Sequence, residues 1–354
     1  MRFWSVAPVA AATFAAIGAA GGPLLAEQAP RLSGPHAYEN LAIYFVHGTS
    51  AAGTVPLTLE EGVAKGRVQV IETGRVNELM IENTGTEPVF VQAGDIVKGG
   101  KQDRVLTVSL LLPANSGRLP IQSFCVEQGR WTARGKEDAN KFSSATEAMP
   151  SRAALLAMAA PAPAKESGYR AAGERPDGGD VAGKQKKVWD SVAATQSKLA
   201  DGVGASVNSP ASGTSLQLSL ENEKLKGARA GYLAALKGKG EAEADIVGYV
   251  VAINGQVSSA NLYPSNAMFR KMWNKQLAAV VTEAIGEKKA AGEASPPPAP
   301  AQAAEFLAEA ERGKPSARAE AIGTRQETRD GDKTLFNEAK SNNGAWLHRS
   351  YLAK

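Results

Sequence analysis

The chain has 354 residues, 43% of them apolar and only 6% aromatic, with 36 Gly and 19 Pro. That length buries a sizeable core and allows about one to three domains, while the Gly and Pro content predicts compact parts joined by disordered ones. Net charge is +4, and Lys and Arg are scattered among acids with no basic helix or aromatic-interleaved stripe, a footprint that argues against nucleic acid as a partner.

The first elements concern export. Met1-Arg2 precede the apolar run "SVAPVAAATFAAIGAA", and small residues at Ala20 and Ala26 offer cleavage points. This is the pattern of a signal peptide over residues 1–26. The run is short, Ala-rich and interrupted by Pro8, so removal is expected rather than spanning. The expected location is periplasmic or secreted, with no stable membrane insertion after the signal is removed. The single cysteine, Cys125, cannot close an internal disulfide. It also cannot build a cysteine zinc site, and His36, His47 and His348 show no ligand spacing, so neither a metal nor a cofactor is expected.

From Ala37 to Trp131 the chain is strand-rich. "NLAIYFVHG" is an apolar run ending in glycine, and "RVQVIETG" alternates. "VNELMIEN" and "PVFVQAGD" flank "TGTE", which reads as a hairpin turn, and "RVLTVSLLLP" and "PIQSFCVEQGRW" flank the turn "ANSGR". Strands at this spacing predict a small sandwich or open barrel. From Lys136 to Gly183 the periodicity fades, predicting a long linker with one short helix at Ala153–Ala159. "KQKKVWDSVAATQSKLA" then reads as a helix with Val188, Trp189, Val192 and Leu199 on one face, and "SLQLSLENEKLKGARAGYLAAL" as a second. "DIVGYVVAINGQVSSANLY" is a hairpin about Asn254-Gly255. Ser265 N-caps a third helix whose stripe includes Phe269, Met272, Trp273 and Leu277. Trp189 and Trp273 are both expected in the core. A proline-rich linker, a short polar helix at Ala303–Glu311 and a hairpin about Asn343-Gly344 close the chain. By composition alone the chain divides near residue 150.

The stretch with most chemistry is "AGDIVKGGKQDRVLTVSLLLP". It fails as a phosphate loop, because Gln102 stands where Ser or Thr is required and a strand follows instead of a helix. Gly99 and Gly100 can take positive φ and present N–H groups, and Lys98, Lys101, Gln102 and Arg104 surround them with donors, a nest suited to phosphate or carboxylate. The competing reading is a solvated turn whose cations meet Asp95 and Asp103. In "PIQSFCVEQGRW", Ser123, Cys125 and Glu127 share one strand face, with Arg130 and Trp131 at the exit. Cys125 is read as an inert buried residue, a nucleophile or an exposed thiol, and His348 is the only candidate base for it.

These two stretches, with "VWDSVAATQSKL", "VGYVVAINGQV", "NAMFRKMWNKQL" and "LHRSYL", resemble the ARG and Rhodanese-Phosphatase-superfamily-associated protein domain, where ARG stands for ADP-ribosylglycohydrolase. The resemblance spans about residues 37 to 354. It implies one interrupted α+β domain over 37–354, with linkers at about 146–183 and 287–302. The strand-rich first half would be completed by the C-terminal hairpins and covered by two or three helices. It also adds weight to Lys101, Gln102, Arg104, Glu127 and Arg130 as one constellation, and it suggests a nucleotide- or ADP-ribose-like ligand. The first functional expectation is therefore a binding module for an anionic small molecule held by Lys101, Gln102, Arg104 and Arg130, with Trp131 as a flat wall. The second is a hydrolase with Glu127 as general base or Cys125 as nucleophile. The third is a structural or interaction protein in which these residues form a buried polar network.

Overall fold

The computed structural model describes residues 30–159, 181–289 and 295–354. The expected signal peptide and most of the Ala/Pro/Gly-rich linker lie outside the described residues. In chain order the elements begin with β1 (Arg31–Tyr38), β2 (Leu41–His47), β3 (Leu57–Thr58) and α1 (Leu59–Ala64). Next come β4 (Val68–Arg75), β5 (Glu78–Asn83), β6 (Val89–Val91), β7 (Asp95–Gly99), β8 (Arg104–Leu106), β9 (Leu110–Leu112), β10 (Gly117–Cys125) and β11 (Lys141–Ala148). A helical stretch follows: α2 (Arg152–Ala159), α3 (Val181–Val203), α4 (Leu216–Leu220) and α5 (Glu223–Gly240). The chain continues through β12 (Ile246–Ile253), β13 (Gln256–Leu262), α6 (Asn266–Gly286) and α7 (Pro300–Arg312), then β14 (Pro315–Ala321), β15 (Thr324–Asp330), β16 (Thr334–Ser341) and β17 (Trp346–Ala353).

The fold is α+β. An eight-stranded antiparallel sheet runs β1-β2-β12-β13-β17-β16-β15-β14, so its strands come from both ends of the chain. β2 and β12 are buried along their whole length, which is why "LAIYFVH" reads as a continuous apolar run instead of alternating. One face of β2 and β12, through Ile43, Phe45, Tyr249 and Val251, packs with α3, α5 and α6. The other, through Tyr44, Val46 and Val250, is covered by α7. Six strands, β10-β5-β4-β11-β7-β8, close a barrel with its own apolar core. It is closed where an open barrel or sandwich was expected, because β10 pairs with β5 along its first part and with β8 through Ser123, Phe124 and Cys125.

Several local expectations are corrected. "TGTE" is not a hairpin turn: β5 stays in the barrel while β6 joins the separate sheet β3-β6-β9. The buried Asn83 side chain turns the chain out of the barrel, donating to the carbonyls of Glu87 and Pro113 and accepting from the Gly85 N–H. The expected second helix is two, because Asn222 accepts from the N–H groups of Lys224 and Leu225 and starts α5 afresh. β11 lies inside the expected linker, its Ser- and Thr-rich sequence made a strand by pairing with β4 and β7. Trp273 is fully buried, but Trp189 is only half-buried. The buried stripe of α3 is Gln185, Val188, Val192, Gln196 and Leu199, and Trp189 stands one position round the helix from it.

Trp273 packs against Phe45, Tyr249 and Phe269 with centroids about 5.3–5.5 Å apart, and its indole N–H donates to the Lys237 carbonyl. A Cβ at Gly240 would lie 2.4 Å from that ring. Gly240→Ala is therefore expected to destabilise by ~1–3 kcal/mol through overpacking, read as a lower urea midpoint with an unchanged m-value.

Candidate functional site

Gly99 and Gly100 do adopt positive φ, 121° and 54°. The N–H groups they present are taken by the chain's own carboxylates and carbonyls. The Gly99 N–H donates to Asp103 Oδ1 at 3.0 Å, and the Lys101 N–H to Glu72 Oε2 at 3.2 Å. The Gly100 N–H reaches the carbonyls of Asp138 and Lys141. Lys98 leaves the turn for Glu221, 2.7 Å away.

The carboxylates Asp103 and Glu127 are fully buried and held by two guanidinium groups. Arg130 Nη2 lies 2.7 Å from Glu127 Oε2 and 3.5 Å from Asp103 Oδ1, and Arg130 Nη1 donates to the carbonyls of Gly100 and Thr132. Arg134 bridges Asp103 at 3.0 Å and Glu127 at 3.3 Å and also pairs with Glu137. The Ser215 hydroxyl, which caps α4, donates to Asp103 Oδ2 at 2.8 Å. Burial pushes the Glu127 carboxyl up, but the hydrogen bond from Arg130 outweighs it with the others and holds the group below the usual carboxylate range. A buried carboxylate kept ionised and shared by two arginines acts as a structural lock; a general base needs free lone pairs facing a substrate.

Cys125 lies opposite Arg104 in the β8–β10 ladder. Its Sγ accepts from Arg104 Nη1 at 2.6 Å, and burial pushes the thiol up to about 11 despite that cation. The thiolate that a nucleophile requires is disfavoured there. Arg104 is fully buried, donates to Gln102 Oε1 at 2.9 Å and lies 3.5 Å from Glu72 Oε2. That last contact is close enough for charge attraction but lacks hydrogen-bond geometry, and Arg104 Nε and Nη2 have no hydrogen-bond partner among the described residues. The Lys101 ammonium and the Arg104 guanidinium sit 5.3 and 5.5 Å from the ring centre of Trp131, which is 41% exposed.

The structure thus brings the predicted residues together, but as a packed cluster in which Glu127 and Arg130 pair with the chain's own charges and Arg104 meets Gln102, Cys125 and Glu72. A large cavity lies elsewhere. A space of about 1080 Å³ opens between the barrel, the eight-stranded sheet, α2, α3 and α6, at the upper end of the range for small-ligand sites, about 300–1,000 Å³. It is lined by Ser109, His348, Asn261, Tyr249 and Gln276, which form one hydrogen-bonded chain. Tyr249 OH donates to Gln276 Oε1 at 3.3 Å and accepts from Asn261 Nδ2 at 2.8 Å. Asn261 Oδ1 therefore accepts from His348 Nε2–H at 3.0 Å, which leaves His348 Nδ1 to accept the Ser109 hydroxyl at 3.0 Å. The Ala93 N–H completes Ser109. His348 is wedged between Phe90 and Tyr263, and burial pushes its imidazole down to about 3.

The sequence profile of the ARG and Rhodanese-Phosphatase-superfamily-associated protein domain matches residues 30–352. The chain belongs to that family. No curated protein and no solved structure matches it. The family's domain therefore includes both the Asp103 lock and the cavity walls, which β13, β15, β16 and β17 supply from the far end of the chain.

Within this family member, sequence reasoning weighed His348 only as a partner for Cys125, and it overlooked Ser109, Asn261, Arg134 and Glu72. A signal existed: "SSANL" and "LHRSYL" put polar side chains on both faces of a strand that also carries apolar residues. Glu283 also lines the cavity, where it accepts from the Arg152 N–H at 3.1 Å. Burial outweighs that bond and pushes its carboxyl up to about 7. His47, Glu243 and Asp245 form a cluster with metal-ligand spacing, but Arg31 already bonds Asp245 at 2.6 Å and stands 3.7 Å from Glu243, so a cation neutralises those carboxylates.

Proposed function

We propose that the protein is a binding module for a small polar molecule, and that the ligand occupies the interior cavity. The supporting observation is the neutral chain from Ser109 through His348, Asn261 and Tyr249 to Gln276 along the wall of a ligand-sized space. Fixed dipoles of this kind orient a ligand without the desolvation cost of buried charge. They serve nucleophilic chemistry poorly. If Ser109 attacked a substrate, His348 would have to become an imidazolium, and the group on its other nitrogen is the uncharged Asn261 amide.

A thermal-shift screen of the full chain against nucleotides, phosphosugars, dicarboxylates and neutral sugars tests this reading. Ligand at a hundred times its dissociation constant stabilises by about 2.7 kcal/mol. The reading predicts a shift that disappears in Ser350→Phe, which sets a ring over the polar floor of the cavity beside Asn261 and Asn337. No shift with any compound, or one that survives Ser350→Phe, would refute it.

A second reading keeps the anionic, nucleotide- or ADP-ribose-like ligand at the Lys101–Arg104–Trp131 edge, favoured by the two Arg104 nitrogens that make no hydrogen bond among the described residues and by the exposed ring beside them. It predicts that phosphorylated compounds alone shift the protein and that Trp131→Ala, not Ser350→Phe, abolishes the effect. A hydrolase would add turnover of the bound compound, followed by product release in the same samples.

A further inference from the structure

Resting on the cavity reading, we infer that the ligand is a neutral polyhydroxylated molecule, a sugar or sugar alcohol, laid across the floor that the eight-stranded sheet provides. The strand register carries the argument. Asn261 on β13 stands opposite Ser350 on β17, Ser350 opposite Asn337 on β16, and Asn337 opposite Thr328 on β15. All four line the cavity. They form one cross-strand row of alternating amides and hydroxyls, with neighbours about 4.8 Å apart in the pairing direction. Two positions along the same face come His348, Ala339 and Gln326, which also line the cavity. No residue of this floor carries a charge at neutral pH.

The alternate positions of the same strands face the other way and mix ion pairs with the apolar residues Ala260, Phe336 and Tyr351 that pack with α7. Arg349 pairs with Glu338 at 2.8 Å, and Arg329 with Glu327 at 2.8 Å, on the opposite face. The sheet thus keeps its ion pairs on the face under α7 and presents neutral hydrogen-bonding groups, beside Ala339 and Leu352, on the cavity face.

The row also retains free capacity. The Thr328 hydroxyl donates to Asn337 Oδ1 at 2.8 Å, which fixes that amide and directs its Nδ2 hydrogens elsewhere. Asn337 Nδ2 and Ser350 Oγ have no hydrogen-bond partner among the described residues. On the barrel side of the lining, Ser123 Oγ is buried and likewise unpartnered. Sugar hydroxyls both donate and accept, so they match amides and hydroxyls in series. A phosphate or carboxylate would find no cation on this floor. The cations of the lining, Arg75, Arg152 and Lys184, sit on β4, α2 and α3 instead, and Arg75 is paired with Glu78.

Isothermal titration of the full chain with D-glucose, D-ribose and mannitol, beside glucose 6-phosphate, ribose 5-phosphate and succinate, decides the matter. At least one neutral compound is expected to bind, with its phosphate ester at least tenfold weaker. Ser350→Ala should weaken binding up to about tenfold, the effect of one neutral hydrogen bond; it removes a single oxygen, so a thermal melt verifies that the variant is folded. Tighter binding of a phosphate ester or succinate, abolished by Ser350→Phe, would overturn the polyol inference and leave the cavity reading standing. Binding of any probe that Ser350→Phe leaves unchanged, or no binding at all, would overturn both.

Discussion

Asp103→Ala is expected to destabilise the protein by ~3–5 kcal/mol, the range for removing one partner of a buried ion pair. Asp103 is fully buried and accepts from the Gly99 N–H, the Ser215 hydroxyl and both terminal nitrogens of Arg134. Without it, Arg130 and Arg134 would share Glu127 in a nearly water-free site, the positive-φ turn at Gly99 would lose its anchor, and the cap of α4 would lose its tie to the barrel. The cost comes from the stranded cations more than from the lost bonds. Ser215→Ala, which removes one hydroxyl and leaves the charges paired, should cost only ~1 kcal/mol. Urea unfolding of the two variants measures the difference. A loss below about 1 kcal/mol for Asp103→Ala would mean that water reaches the cluster and that surface-like energetics apply.

The second large effect is a cancellation that single variants unmask. His348 is pushed down to about 3 by burial from an ordinary value of 6.5. As the pH falls below 6.5, the unfolded chain takes up a proton that the folded chain refuses, so stability declines by about 1.4 kcal/mol per pH unit. Glu283 is pushed up to about 7 by burial from an ordinary value of 4.5. Between pH 7 and 4.5 the folded chain holds a proton that the unfolded chain releases, so stability rises by the same slope as the pH falls. The two groups oppose each other between pH 6.5 and 4.5. His36, also lowered by burial, adds weakly to the side of His348. Wild type should therefore decline only modestly over that window, mainly near its acid end. There the Glu61, Glu127, Glu221 and Glu338 carboxyls, which burial pushes up but their cation partners hold below the usual carboxylate range, begin to lose their advantage. Relative to wild type, Glu283→Gln should lose ~2–3 kcal/mol more on acidification from pH 6.5 to 4.5, and His348→Gln should lose a similar amount less. Urea midpoints at three pH values read this directly. Parallel curves for wild type and both variants would show that the cavity wall is wet enough to leave these groups at their ordinary values.

Much of the fold was legible because local signals agreed with tertiary ones. Asn254-Gly255 and Asn343-Gly344 each join paired strands, β12–β13 and β16–β17. Ser265 accepts from the Met268 N–H as an N-cap should. What failed was information carried between distant segments. The Ser- and Thr-rich β11 has little strand propensity of its own, and its pairing with β4 and β7 is what makes it a strand. The cluster at residues 98–134 was legible as a set of residues but not as a geometry. Without register, no reading could tell that Asp103 and Glu72 would fill the glycine turn or that Arg134 would join Glu127. The cavity was illegible for a stronger reason. Its polar row is assembled from four strands, each contributing one unremarkable Asn, Ser or Thr, and the row exists only once the sheet order is known.

The account rests on the interior cavity being where a ligand binds. A crystal structure of the full chain soaked with the tightest-binding compound of the titration series tests it most directly. The compound should lie against Asn337 and Ser350 with its polar atoms within hydrogen-bond distance of both. Density for it at Trp131 and Lys101, or anywhere outside the cavity, would contradict the account.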